Sequence, residues 1–84
     1  MPYINQGVRA SLESGRKPLL PGELNYVISK EIDGYITRKG LGYAAINDVI
    51  GVLECLKLEV YRRIAAGYED EKSRLNGEVF LNAR

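Results

Sequence analysis

The stretch YAAINDVIGVLECLKLEVYRRIAAGYEDEKSRL, running from Tyr43 to Leu75, decides the fold. Its apolar side chains fall at Ile46, Ile50, Leu53, Leu56, Val60, Ile64, Tyr68 and Leu75. Most of these steps are of three or four residues, which follows the helical period, and no proline interrupts them. The spacing predicts one long helix over residues 43–75, roughly 50 Å at ~1.5 Å per residue. The chain before it is too short to cover such a stripe, so a second copy is expected to bury much of it.

Working outward, Gly40-Leu41-Gly42 is short enough to fold the preceding helix back as an antiparallel neighbour. That helix is predicted over residues 22–39, starting near Pro21, where proline is tolerated at the first helical position. Glu23 places a negative charge in its first turn, and Thr37-Arg38-Lys39-Gly40 closes it with cations and a glycine. Leu24, Val27, Ile28, Ile32, Tyr35 and Ile36 share one face, expected to be the buried one. Residues 1–20 read as an arm with one short helix, capped by Asn5 and ended by Gly15, with Val8 and Leu12 one turn apart. Pro18 and Pro21 stiffen the connector that follows.

At the other end, Glu69-Asp70-Glu71-Lys72 reads as a solvated helical turn and Asn76-Gly77 as a break. Residues 76–84 form a tail in which Glu78-Val79-Phe80-Leu81 is a short strand or an extended segment. The apolar triplet Val79-Phe80-Leu81 is expected to dock, since covering Phe80 alone is worth about 1.5–3 kcal/mol. The fold class expected is therefore all-α, in a single domain over residues 1–84. It comprises a short N-terminal helix and an antiparallel helical hairpin whose second helix is long, completed by oligomeric helix packing.

Composition narrows the chemistry. The chain has 84 residues, one cysteine and no histidine. One thiol forms no intrachain disulfide and no zinc site, and without histidine there is no His-based triad or general base. No metal and no cofactor are expected. Small domains without such staples rely on oligomerisation. Twelve basic residues against eleven acidic ones create no global field toward nucleic acid or an acidic membrane. The apolar runs are too short to cross a bilayer, and Met1-Pro2-Tyr3-Ile4-Asn5 lacks the features of a signal peptide, so a cytoplasmic protein is expected.

Three features break the plain hairpin pattern. Lys57 projects near the middle of the apolar arc, between Glu54 and Tyr61. The simplest account is a stem covering apolar surface while the ammonium reaches water; the functional one is a cation aimed into a shared groove. Val52, Cys55 and Leu58 lie on the otherwise polar face of the long helix and suggest a second contact surface. Together with Val60, Ile64 and Tyr68 they form the expected oligomer interface. Tyr35 and Tyr43 bracket the basic, glycine-rich turn. The bland reading is a pair of core-edge tyrosines around an ordinary helix turn.

The sharper reading is an anion site formed by Arg38, Lys39, Gly42 and Tyr43, with Lys57 contributed by another subunit. Helix N–H groups and fixed cations would hold phosphate there, and Tyr43 would stack on a base. No Walker-type or dinucleotide-type glycine pattern accompanies it. Asp48 and Glu54 project from different sides of one helix and do not converge as an acid–base pair. Asp48 reads better as a cap or first-turn dipole partner.

The segments Pro2-Tyr3-Ile4, Gly22-Glu23-Leu24-Asn25-Tyr26, Ile46-Asn47-Asp48-Val49-Ile50-Gly51, Leu53-Glu54-Cys55, Tyr61-Arg62-Arg63, Tyr68-Glu69-Asp70 and Asn76-Gly77-Glu78-Val79 occur in this order. In this the chain resembles a family of short uncharacterised proteins encoded by tailed phages and found in environmental viral sequences. The resemblance spans nearly the whole chain. Gly7 and Val8 depart from it, standing where more charged residues are expected. The resemblance implies a phage accessory protein working in the host bacterial cytoplasm, and it carries no catalytic residues.

The function expected is binding, not catalysis: a homo-oligomer that engages a host protein or an anionic, nucleotide-like small molecule. A counter-defence inhibitor and a protein that sequesters a nucleotide signal both fit. The alternatives are a nucleic-acid-associated phage protein, disfavoured by the alternating charges of the long helix, and a purely structural or assembly protein.

Overall fold

Asn5 opens the first helix by accepting a hydrogen bond at Oδ1 from the Val8 N–H, 2.9 Å away. The computed structural model describes residues 4–82. Pro2 and Tyr3 of the arm, and Ala83 and Arg84 of the tail, lie outside the described residues. The architecture is all-α, and there is no strand among the described residues. Helix α1 spans Gln6–Glu13, α2 Pro21–Lys39 and α3 Tyr43–Val60; a π-helical turn covers Tyr61–Ala65, and α4 covers Ala66–Asn76. The backbone divides into two units, Met1–Asn47 and Asp48–Arg84, with the boundary inside α3.

In the first unit α1 packs on α2. Gly15, at φ 110°, breaks α1, and its N–H bonds back to the Leu12 carbonyl at 3.1 Å. Pro21 is the first residue of α2, as its fixed φ favours. The N-cap residue Leu20 has no side-chain acceptor. The carboxylate of Glu23, two residues beyond Pro21, takes over the capping and accepts the Leu19 N–H at 3.0 Å. At the far end the Gly40 N–H, at φ 92°, bonds the Ile36 carbonyl at 2.8 Å.

Among the described residues of this unit, Leu12, Glu23, Tyr26 and Ala45 are buried. Leu12, one turn from Val8, is the residue of α1 that is buried. The buried face of α2 corrects the sequence reading, because Leu24, Val27 and Ile28 remain exposed while Glu23 and Tyr26 turn inward. Apolar periodicity ranked those positions by hydropathy alone. Glu23 and Tyr26 can be buried because α1 and its connector supply a partner for each polar tip.

The helix of the second unit continues from α3 through α4 without a break, since Val60, Ala65 and Ala66 keep right-handed helical dihedrals. The regular α-helix expected over residues 43–75 is thus interrupted by one wider turn, in which the Ala66 N–H bonds the Tyr61 carbonyl. Helix α4 ends at Asn76, and Gly77, at φ 94°, donates to the Ser73 carbonyl at 2.7 Å. Exposed ion pairs line this helix: Glu54 with Lys57, Glu59 with Arg62 and Arg63, and Glu71 with Arg74. No described residue of this unit is buried.

The tail does not dock within its own unit. Phe80 is 73% exposed, and Val79 and Leu81 are exposed as well. Glu78 instead folds its carboxylate onto the N–H groups of Val79 and Phe80, each at 2.9 Å. Docking needs an apolar layer to receive the triplet, and the benefit of covering Phe80 is realised only where such a layer exists. Among the described residues no helix is long and apolar enough to cross a membrane.

Candidate functional site

Four of the five residues expected at an anion site sit around one turn of the first unit. Arg38 and Lys39 are the last residues of α2, Gly42 precedes α3, and Tyr43 begins it. Tyr43 is 86% exposed, so its ring is open to a stacking partner. No acidic side chain occupies the first turn of α3, which leaves its positive end uncompensated by charge there. Asp48 stands one turn deeper than the position that the cap or first-turn reading requires.

Arg38 does not point into the turn. Its Nη1 lies 3.2 Å from where a Cβ on Gly34 would stand, and its Nη2 is 3.7 Å from Glu31 Oε1. The guanidinium therefore lies back along α2, over the gap left by Gly34. Both partners of that pair are largely exposed, so releasing Arg38 toward an anion costs little. Lys57 belongs to the second unit, where its ammonium is 3.4 Å from Glu54 Oε1.

The residues expected at an oligomer interface, Val52, Cys55, Leu58, Val60, Ile64 and Tyr68, are all exposed. Ile64, at 66%, is among the most exposed of them. The Tyr68 ring carries Lys72 at 5.5 Å from its centroid, a cation–π contact within the helix.

The densest polar cluster was not singled out by sequence reasoning. Glu23, only 7% exposed, receives Arg16 Nη1 and Nη2, each at 3.2 Å. Arg16 Nε donates to Ser11 Oγ at 2.8 Å, so the guanidinium uses all three nitrogens between α1 and α2. The Arg16 bonds and the Leu19 N–H hold the Glu23 carboxyl below the usual carboxylate range, against its desolvation. Beside it, the Tyr26 hydroxyl donates to Glu13 Oε1, and Arg9 sits 5.4 Å from the Tyr26 ring centroid. That bond to Glu13 raises the Tyr26 pKa above its ordinary value, with burial adding to the effect.

The available signal was a glutamate in the third helical position after a proline start, which is where a capping carboxylate belongs. Among the described residues no buried side-chain nitrogen or oxygen lacks a hydrogen-bond partner, which suits a clamp better than a binding site. Among the described residues no group of Cys, Asp and Glu side chains is gathered in a way that could hold a metal ion.

These observations define a small all-α protein whose first unit is closed by a polar clamp and whose helical second unit exposes an apolar row. Residues 1–79 match the family described as a domain of unknown function, DUF6899, and the chain belongs to that family. The match spans both units. No curated protein and no solved structure matches the chain.

Proposed function

We propose that the protein is a homo-oligomeric, phage-encoded accessory factor that acts by binding in the host cytoplasm. One observation carries the reading: the second unit exposes Leu53, Leu56, Val60, Ile64 and Tyr68 along one helix and buries nothing. A contiguous apolar surface of this kind marks an interaction site. The ion pairs of the same helix are satisfied within it, so it presents no basic stripe for nucleic acid. Catalysis is not part of the proposal.

The bound species is a host protein or an anionic small molecule. For the anion, Arg38 and Lys39 supply charge, the start of α3 supplies N–H groups, and Tyr43 supplies a face. A purely structural or assembly role is the second reading, and it rests on the same apolar row. Native mass spectrometry of protein taken from infected cells reports stoichiometry and retained partner together. An oligomer carrying a host protein or nucleotide supports the binding role. A bare oligomer supports the assembly role, and a bare monomer overturns both.

A further inference from the structure

We propose that residues 48–76 pair with a second copy of this chain as a parallel, two-stranded coiled coil, and that the π-helical turn keeps its seam in line. The inference rests on the oligomer reading above and gives it a geometry. Leu53, Val60, Tyr68 and Leu75 are separated by seven, eight and seven residues. A seven-residue step is the repeat of helices wound about each other, and it drifts by only about 20°. An eight-residue step in regular α-helix would turn Tyr68 about 80° away from Val60, off the line.

The turn over Tyr61–Ala65 lies inside that eight-residue step. There the Ala66 N–H reaches the Tyr61 carbonyl, five residues back instead of four, so one turn absorbs one additional residue. With that residue absorbed, Leu53, Val60, Tyr68 and Leu75 return to one line. Ile50 and Ile64 fill alternate core positions three or four residues away, and all six side chains are exposed. A row with this repeat calls for a partner with the same repeat, including its irregularity, and a copy of the chain has both.

Charge fixes the orientation. In a parallel, in-register pair Arg63 flanks the seam on one side and Glu69, in the next repeat, flanks it on the other. Each Arg63 keeps its Nε on Glu59 Oε2 and turns its terminal nitrogens to Glu69 of the partner subunit, giving two attractive pairs by symmetry. An antiparallel pair would set Glu54 against Glu69 of the partner subunit and bring the two Arg63 side chains together. Lys57 and Lys72 take the remaining core positions, where a lysine lowers stability but selects register and strand number. Their ammoniums already turn aside, toward Glu54 and over the Tyr68 ring. Val52, Cys55 and Leu58 fall outside this seam.

Cysteine cross-linking tests the geometry. Leu53→Cys and Leu75→Cys are each made in a Cys55→Ser background, sedimented in reduced form at micromolar concentration, and then oxidised. The expected result is a dimer in which both variants form disulfide-linked pairs faster than wild-type Cys55 does. A dimer in which either position fails to cross-link overturns the parallel seam and leaves the oligomer reading standing. Faster linkage through wild-type Cys55 overturns it in favour of the Val52, Cys55 and Leu58 face. A monomeric Cys55→Ser protein overturns both readings. Deleting Ala66 shortens the eight-residue step to seven, and the dimer should survive with a melting temperature at or above that of the parent. Loss of the dimer on that deletion overturns the role given to the π-helical turn.

Discussion

Arg16 spans the connector between α1 and α2 and meets Glu23 with both terminal guanidinium nitrogens, each 3.2 Å from a carboxylate oxygen. The planar fork matches the carboxylate, while Nε is held by Ser11 Oγ. Arg16→Lys keeps the charge and loses the fork, so it should lower the melting temperature. Glu23→Gln should do the same. A double-mutant cycle read by thermal denaturation should show strong non-additivity, and simple additivity would mean that the two residues act separately.

The pH dependence of stability has two limbs. Glu23 has a depressed pKa in the folded state, chiefly through Arg16, so its contribution is present above the unfolded carboxylate value of about 4.3. It is lost as pH falls through the folded pKa. Tyr26 has a raised pKa, chiefly through Glu13, so its contribution is present below about 10 and lost as pH rises through the folded value. Melts across pH should therefore show a plateau between these limits. Tyr26→Phe should flatten the alkaline limb and leave the acid limb in place.

Leu12 is the buried apolar side chain that α1 contributes to the first unit. Leu12→Ala should cost about 2–5 kcal/mol, measured by chemical denaturation. Asn5→Ala, which removes the cap of the same helix, should cost about 1 kcal/mol. A near-zero effect at Leu12 would show that α1 contributes little to folding.

Ile64→Glu should dissociate or unfold the proposed oligomer, because burying an unpaired charge costs several kcal/mol. Sedimentation at micromolar concentration reads the outcome directly. Truncation after Gly77 should leave the melting temperature unchanged, since Val79, Phe80 and Leu81 cover nothing on this chain. A fall on truncation would show that the tail packs on another copy.

For the anion reading, thermal shift against host nucleotides gives the measurement, because a ligand that binds only the folded state raises its stability. Arg38→Gln should reduce any such shift while leaving sedimentation unaltered. If no nucleotide moves the melt and pull-downs return one host protein, the small-molecule reading gives way to protein inhibition.

The amino-acid sequence by itself determined the elements and their ends. Asn5, Gly15, Pro21, Gly40 and Gly77 mark boundaries through local backbone chemistry, which needs no distant partner. Periodicity likewise carried the long helix and its exposed row, because a helical stripe is a property of neighbours along the chain. The tertiary structure decided which face of α2 is buried. Hydropathy favoured Leu24, Val27 and Ile28, whereas burial of Glu23 and Tyr26 depends on Arg16 and Glu13, which only folding brings near. It also decided that Arg38 lies back over Gly34 and that the tail stays exposed, since both depend on what stands nearby in space. The wider turn at Tyr61–Ala65 belongs to the structure as well: a single altered hydrogen bond shifts the phase of everything after it, and the eight-residue step from Val60 to Tyr68 acquires its meaning only once that turn is seen.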